Sequence, residues 1–256
     1  MPTLEGERIL LTGAAQGLGA AIARHLHALS ADLILLDRDA EGLEAIARDC
    51  PGARTAVVDL ADADDTDRVL REVVTKRVDT MIHNAAVLRM ESIEDVSLES
   101  FSEQVNVGIR AGFQLTQAVW PGMTEKGGTL VFVSSRSGIE GFVDETAYCA
   151  AKHALEGFSK CLAMEGEPHD IMSVTVTPGM LMHTPMSETT YPPEARAKWV
   201  DPSELAPAFS YLAIRPMHLS GERVSAWELS QEHPEWAPKT QPGPVPPTPT
   251  EEPSDS

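Results

Sequence analysis

Short uninterrupted apolar runs alternate with amphipathic stretches along most of the chain. Ile9-Leu10-Leu11, Leu33-Ile34-Leu35-Leu36, Ala56-Val57-Val58, Val78 to Ile82, Thr129 to Val133 and Ser173 to Val176 read as six strands. Between them, Ala20 to Leu29 reads as a helix, and further helices are expected at about 62–76, 97–119, 146–164 and 202–214. A strand buried on both faces needs a continuous apolar run. Strands separated by single helices imply βαβ units and a parallel sheet. The pattern therefore predicts one α/β domain over residues 1–236 of the 256.

The last stretch breaks this pattern. From Ala237 onward the chain reads Pro-Lys-Thr-Gln-Pro-Gly-Pro-Val-Pro-Pro-Thr-Pro-Thr-Glu-Glu-Pro-Ser-Asp-Ser. Proline removes backbone donors, and there is little apolar surface to bury, so 237–256 reads as a disordered or polyproline-like tail. The alternative is a docking ligand carried by Val245-Pro246-Pro247-Thr248-Pro249.

Composition narrows the function classes. The formal net charge of −19 argues against a nucleic-acid surface and against anionic membranes. No apolar stretch approaches the roughly 20 residues of a membrane span, and the first residues lack a basic-then-apolar leader. Cys50, Cys149 and Cys161 share no ligand spacing, so no metal site is expected and free thiols in a reducing, cytoplasmic setting are.

The first strand runs into Thr12-Gly13-Ala14-Ala15-Gln16-Gly17-Leu18-Gly19 and then a helix. Glycines let a backbone approach a pyrophosphate, and the helix start offers free N–H groups to it. Gly13, Gln16, Gly17, Leu18 and Gly19 are thus candidate dinucleotide contacts; a plain tight turn is the alternative. Asp37 closes the second strand, where a carboxylate accepts both adenosine ribose hydroxyls and repels a 2′-phosphate. That favours NAD over NADP, although Arg38 follows directly, and a solvated turn aspartate is the bland reading.

Thr12-Gly13-x-x-x-Gly17-x-Gly19, Asn84-Ala85-Ala86, Ser135 and Tyr148-x-x-x-Lys152 occur in an order and at separations that resemble the short-chain dehydrogenase/reductase family, over about residues 5–230. The resemblance implies a Rossmann-type doubly wound parallel sheet of about seven strands flanked by helices. It implies that Asp59-Leu60 flank the adenine and that Asn84, Ala85 and Ala86 support the sheet beside the cofactor. By the same resemblance Asn106 is catalytic, Pro178-Gly179 pass the nicotinamide, and the protein is a homotetramer or homodimer built on the helices near 97–119 and 146–164. Ala86 replaces the usual glycine, and four residues rather than three separate Pro178-Gly179 from Thr184, the expected nicotinamide contact.

Ketone reduction needs a hydride at carbon and a proton at oxygen; the cofactor supplies the first and the protein the second. A tyrosine titrates near ~10. Lys152, four residues after Tyr148, shares its helix face, and its ammonium is expected to favour the phenolate. A shift of about three units corresponds to roughly 4 kcal/mol. The alternative is a packing pair with the lysine stem on the ring. Ser135 can donate to the same carbonyl oxygen. The resemblance adds that Lys152 holds the nicotinamide ribose and Asn106 a water.

The pocket walls fall after the fourth, fifth and sixth strands, at Val87, Leu88, Ser137, Ile139 and Met180 to Met182. They are mostly apolar, which suggests a hydrophobic or mixed substrate rather than a bare sugar. Arg89 and Arg136 either meet an acid group or face solvent. The sequence thus reads as an NAD-linked oxidoreductase of secondary alcohols and ketones. Dihydrodiols or cyclic alcohols, 3-oxoacyl thioesters and steroid-like ketones are the substrate classes in view. The competing readings are a catalytically silent dinucleotide-binding sensor or regulatory subunit, and a scaffold subunit of a hetero-oligomer.

Overall fold

The computed structural model describes residues 2–237, with Ala195 described through its backbone alone. The tail expected from 237 onward lies outside the described residues, apart from Ala237. Seven strands form one parallel sheet: β1 (Arg8–Thr12), β2 (Asp32–Asp37), β3 (Arg54–Val57), β4 (Thr80–His83), β5 (Gly128–Val133), β6 (Ile171–Thr177) and β7 (Arg223–Ser225). Their order is β3-β2-β1-β4-β5-β6-β7. The chain runs outward from β1 to β3, returns to β4 on the other side of β1, and runs outward again. The crevice at that reversal, at the carboxyl ends of β1 and β4, is where such sheets bind ligands.

Alternate strand residues feed two cores. Ile9, Leu11, Leu33, Leu35, Val131 and Val174 pack on one face, against α1 (Gly17–Ala28), α2 (Ala40–Asp49), and elements beyond β6. Leu10, Ile34, Leu36, Met81, Leu130 and Phe132 pack on the other, against α3 (Ala63–Val73), α5 (Ala111–Lys126) and α6 (Thr146–Gly166), and α4 (Leu98–Val105) lies against α6. Each such aliphatic side chain contributes about 1.5–3 kcal/mol through burial. Among the described residues the remaining α-helices are α7 (Pro185–Thr190), α8 (Ala206–Ala213) and α9 (Ala226–Glu232).

The apolar pattern misses α2, which begins where Asp39 accepts a hydrogen bond from the Gly42 N–H at 3.0 Å. Four of its ten residues are charged, so its apolar stripe reduces to Leu43 and Ile46. The single helix expected over 97–119 is instead α4 and α5 joined by a π-helical turn, Asn106–Arg110. The helix expected from 202 starts as a 3₁₀ turn, Pro202–Glu204, under an Asp201 capping box.

Candidate active site

The glycine-rich turn is built for close backbone approach. Gly13 has φ +66°, and a Cβ there would sit 2.9 Å from Ala85 Cα. At Gly19 a Cβ would run into the carbonyl oxygen of Gly13. Asn84 fastens the turn by donating from Nδ2 to the Thr12 carbonyl at 3.2 Å and the Gly13 carbonyl at 3.0 Å. The Thr12 hydroxyl in turn accepts from the backbone N–H groups of Asn84 and Ala85, each at 3.1 Å. Asn84-Ala85-Ala86 therefore joins the ends of β1 and β4.

Helix α1 starts at Gly17 with no side-chain cap from Gln16 and no acid in its first turn, whereas Asp39 and Asp62 cap α2 and α3. Its leading N–H groups, with Gln16 and Leu18 beside them, suit a pyrophosphate, and the geometry fits the dinucleotide that the turn implies. Asp37 stands next to this turn. Its Oδ2 accepts from the Ala15 N–H at 2.9 Å and its Oδ1 from the Asp39 N–H at 3.0 Å. Arg38 is drawn to Glu103 at 3.2 Å. Asp59 is exposed, while Leu60 is buried in the core, its carbonyl accepting from Arg110 at 2.7 Å. The Leu60 side chain is thus a packing residue, and Asp59 is the one of the pair left open to solvent.

The four catalytic candidates come from α6, the end of β5 and the π-helical turn. Tyr148 is 9% and Lys152 2% exposed, with the Lys152 Nζ 5.4 Å from the Tyr148 ring centroid. The Nζ donates to the Val133 carbonyl at 2.7 Å. Burial pulls Lys152 down to about 8, opposed by the charge of Glu156. Tyr148 departs from the sequence expectation: burial raises its hydroxyl, the charges of Tyr191, Glu145 and Cys149 add to this, and only the neighbouring Ser135 hydroxyl lowers it. The ammonium is spent on a carbonyl and over the ring instead of on the phenol oxygen. Ser135 follows β5 and accepts at Oγ from the Ser137 N–H at 3.2 Å. Asn106 opens the π-helical turn and is half-buried. Cys149 and His153 pack locally, bonded to the Glu140 and Cys149 carbonyls.

Past β6, Gly179 turns at φ +79° against Ser225 and Trp227, and the Pro178 carbonyl accepts from the Trp227 N–H at 3.1 Å. The Ala226-Trp227-Glu228 segment thus buttresses this turn. After the extra loop residue, Thr184 stands at the start of α7. It caps α7 by accepting from the Ser187 N–H at 3.1 Å, and its methyl carbon lies 3.2 Å from where a Gly17 Cβ would stand. Thr184 therefore packs against the glycine-rich turn. Met180 is exposed at the loop's start. A groove of about 500 Å³ runs from Gln16 and Gly17 past Arg24 and His25 to His183 and Asp201; Ser135, Tyr148 and Lys152 do not line it.

Ser137, expected on the pocket wall, is buried, and several residues around it escape the sequence motifs. It donates at 2.7 Å to Glu145, itself 6% exposed, and both neighbour the Ser135–Tyr148 pair. Glu145 opens a helix, where an acid ordinarily reads as a cap. Tyr191, from the segment after α7, is near enough to raise Tyr148. His83 and the Glu156–Arg223 pair stand behind the site; Arg223 donates to the Ser135 carbonyl at 2.8 Å. The two arginines considered as acid contacts are paired instead, Arg89 with Glu103 and Arg136 with Glu140.

The comparisons agree with this geometry. The family model described as short chain dehydrogenase matches residues 7–195. L-xylulose reductase of Bos taurus is 36% identical over 197 residues, covering 76% of this chain and 80% of the relative. D-erythrulose reductase of Gallus gallus is 34% identical over 206 residues, covering 80% and 79%. Among solved structures, a protein of Beutenbergia cavernae assigned as an NAD(P)-dependent gluconate 5-dehydrogenase, with NADP at low occupancy, superposes with a TM-score of 0.81 at 25% identity. It covers 88% of this chain and 98% of its own. With the sheet order, the turn and the relatives in accord, the chain belongs to the short-chain dehydrogenase family.

Proposed function

We propose that this protein interconverts the ketone and secondary-alcohol forms of small, uncharged, hydroxylated substrates with NAD(H). The observation that carries the reading is the buried cluster of Tyr148, Lys152 and Ser135 beside the crevice of the sheet. When bound, the nicotinamide supplies or receives the hydride. Tyr148 gives a proton to the carbonyl oxygen in reduction and takes it back in oxidation. Ser135 donates a hydrogen bond to the same oxygen as charge develops. Lys152, held by the Val133 carbonyl, orients the nicotinamide ribose, and Asn106 holds the water through which the proton is replaced. Gly13, Gln16, Gly17, Leu18, Gly19, Asp37, Asp59, Asn84, Pro178, Gly179 and Thr184 would hold the dinucleotide.

Asp37 supports NAD: its carboxylate lies at the end of β2, and Arg38 is engaged by Glu103. The Beutenbergia structure was solved with NADP, so the preference is a point on which this chain would differ from that neighbour. Of the hydrophobic or mixed substrates expected from the sequence, a mixed, hydroxylated one is supported. The Ser137–Glu145 pair makes the wall polar, and relatives named for L-xylulose and D-erythrulose take such ketones. Leu98, Phe113 and Met164 are exposed apolar residues on α4, α5 and α6, which supports a homo-oligomer.

The test is NADH consumption with a panel of small hydroxy ketones by wild type and Tyr148→Phe. The wild type turns substrates over, and the variant loses about 10²–10⁴-fold in kcat/KM while still binding NADH. Equal activity of the two would remove Tyr148 from the chemistry.

A further inference from the structure

Glu145 immediately precedes α6, three residues before Tyr148, yet its side chain does not cap the helix. Its carboxylate turns to the Ser137 hydroxyl, which donates to Oε2 at 2.7 Å. Ser137 is in turn linked to Ser135, whose hydroxyl donates to Ser137 Oγ at 3.3 Å. Oε1 of Glu145 has no hydrogen-bond partner among the described residues and is not among the fully enclosed unpartnered atoms. Among the described residues no cation pairs with this buried acid, and the nearby Arg136 bonds Glu140 at 2.7 Å. The charge is also placed against the chemistry, since it raises the hydroxyls of both Tyr148 and Tyr191. A buried carboxylate with one open oxygen, beside the reacting groups, lacks a hydrogen-bond donor.

We propose that Glu145 and Ser137 form a hydroxyl-binding subsite that selects α-hydroxy ketones. The hydroxyl on the carbon next to the carbonyl donates to the open Oε1 of Glu145, while Ser137 holds the other carboxylate oxygen in place. A carboxylate at that carbon, as in a 2-keto acid, meets like charge with no cation in reach. A plain ketone leaves Glu145 without a donor, and such sites reject analogues lacking the hydroxyl. This assignment rests on the ketone–alcohol reading above and names the substrate class for the same site.

The experiment compares kcat/KM for erythrulose, butanone and 2-oxobutanoate in wild type, Glu145→Gln and Glu145→Ala. Wild type is expected to prefer erythrulose to butanone by at least about tenfold and to use the keto acid least. Glu145→Ala should lower the erythrulose-to-butanone ratio about tenfold or more. Glu145→Gln, which retains a partner for Ser137, should raise the ratio of keto acid to butanone by a similar factor. Tyr148 is faced by Glu145, Tyr191, Cys149, Ser135 and Lys152, with Arg136 beside Tyr191 and Glu156 beside Lys152. Removing the Glu145 charge should therefore move the Tyr148 limb of the alcohol-oxidation profile to lower pH, a shift that a purely structural role would not produce. Should Glu145→Ala fail to fold, the keto-acid ratio and pH limb of Glu145→Gln decide alone. Active variants with unchanged substrate ratios overturn the subsite and leave the parent reading standing. A wild type inert towards all three compounds overturns both.

Discussion

His83, at the end of β4, reaches the π-helical turn that follows α4, its Nε2 lying 2.9 Å from the Gly108 carbonyl and 3.1 Å from that of Val107. Its other nitrogen, Nδ1, is 3.0 Å from the Thr12 hydroxyl. That hydroxyl already accepts two backbone N–H groups, so its proton goes to Nδ1 and the ring proton resides on Nε2. One neutral imidazole thus ties the glycine-rich turn to the segment that carries Asn106.

This placement predicts acid sensitivity. Burial, reinforced by the charge of Lys152 and opposed by the two carbonyl hydrogen bonds, lowers His83 from 6.5 to about 4. A base with a depressed folded-state pKa contributes stability above its unfolded value and loses it as pH falls through the folded one. The contribution is therefore complete above pH 6.5 and lost on descending to about 4. It amounts to roughly 3 kcal/mol. His83→Gln should be less stable than wild type at pH 7, and the gap should narrow towards pH 4. Urea unfolding of both proteins across that range measures it; parallel curves would refute the assignment.

The Asp37 carboxylate is predicted to set cofactor choice. Its oxygens accept from the Ala15 and Asp39 N–H groups and retain lone pairs for a ribose diol. Asp37→Ala should weaken NADH binding about tenfold or more, the loss of a charged acceptor for two hydroxyls. It should also strengthen NADPH binding by removing like-charge repulsion. Titration of cofactor fluorescence gives both constants. Tighter binding of NADPH by the unaltered protein would defeat the argument.

Gly13→Ala tests the turn itself. The left-handed φ of +66° costs an alanine about 1–2 kcal/mol, and the 2.9 Å approach to Ala85 Cα forces β1 and β4 apart. A loss of about 2 kcal/mol or more is expected, with cofactor affinity falling alongside it. Gly52 is the control, since a Cβ there meets nothing within 4 Å despite φ +92°. Gly52→Ala should show only the backbone part of the loss.

The parts of this molecule written in local pattern were legible beforehand. Strands buried on both faces announce themselves as Leu33-Ile34-Leu35-Leu36 does, and a glycine-rich turn between strand and helix carries its own mechanism. Residues that act through tertiary placement were not. Glu145 looks like any acid at a helix start until the fold brings Ser137 to it. Glu156 looks like a helix-surface charge, yet it receives Ser134, Thr175 and Arg223 behind the site. The Tyr148–Lys152 spacing correctly put both residues on one helix face. It could not show that the ammonium would choose the Val133 carbonyl. The π-helical turn at Asn106 leaves no mark in an apolar period that continues through it.

Lys152 should show a conflict between stability and activity. Burial lowers it from 10.5 to about 8, so below pH 8 the folded protein carries a desolvated ammonium. The linked stability is present above pH 10.5 and lost as pH falls to about 8, a difference of roughly 3 kcal/mol. Lys152→Met has no such dependence. Its thioether is close in volume but leaves the Val133 carbonyl without its donor, which costs about 1–3 kcal/mol. The two effects nearly cancel at neutral pH, so the variant should melt within a few degrees of wild type at pH 7. The wild type should then gain on it as pH rises from 8 to 10. Activity should meanwhile fall at least about a hundredfold at every pH, because no group remains to hold the nicotinamide ribose beside Tyr148. Paired thermal melts and kinetics over that range test both halves. A stability difference independent of pH would show that Lys152 is not held as a desolvated ammonium.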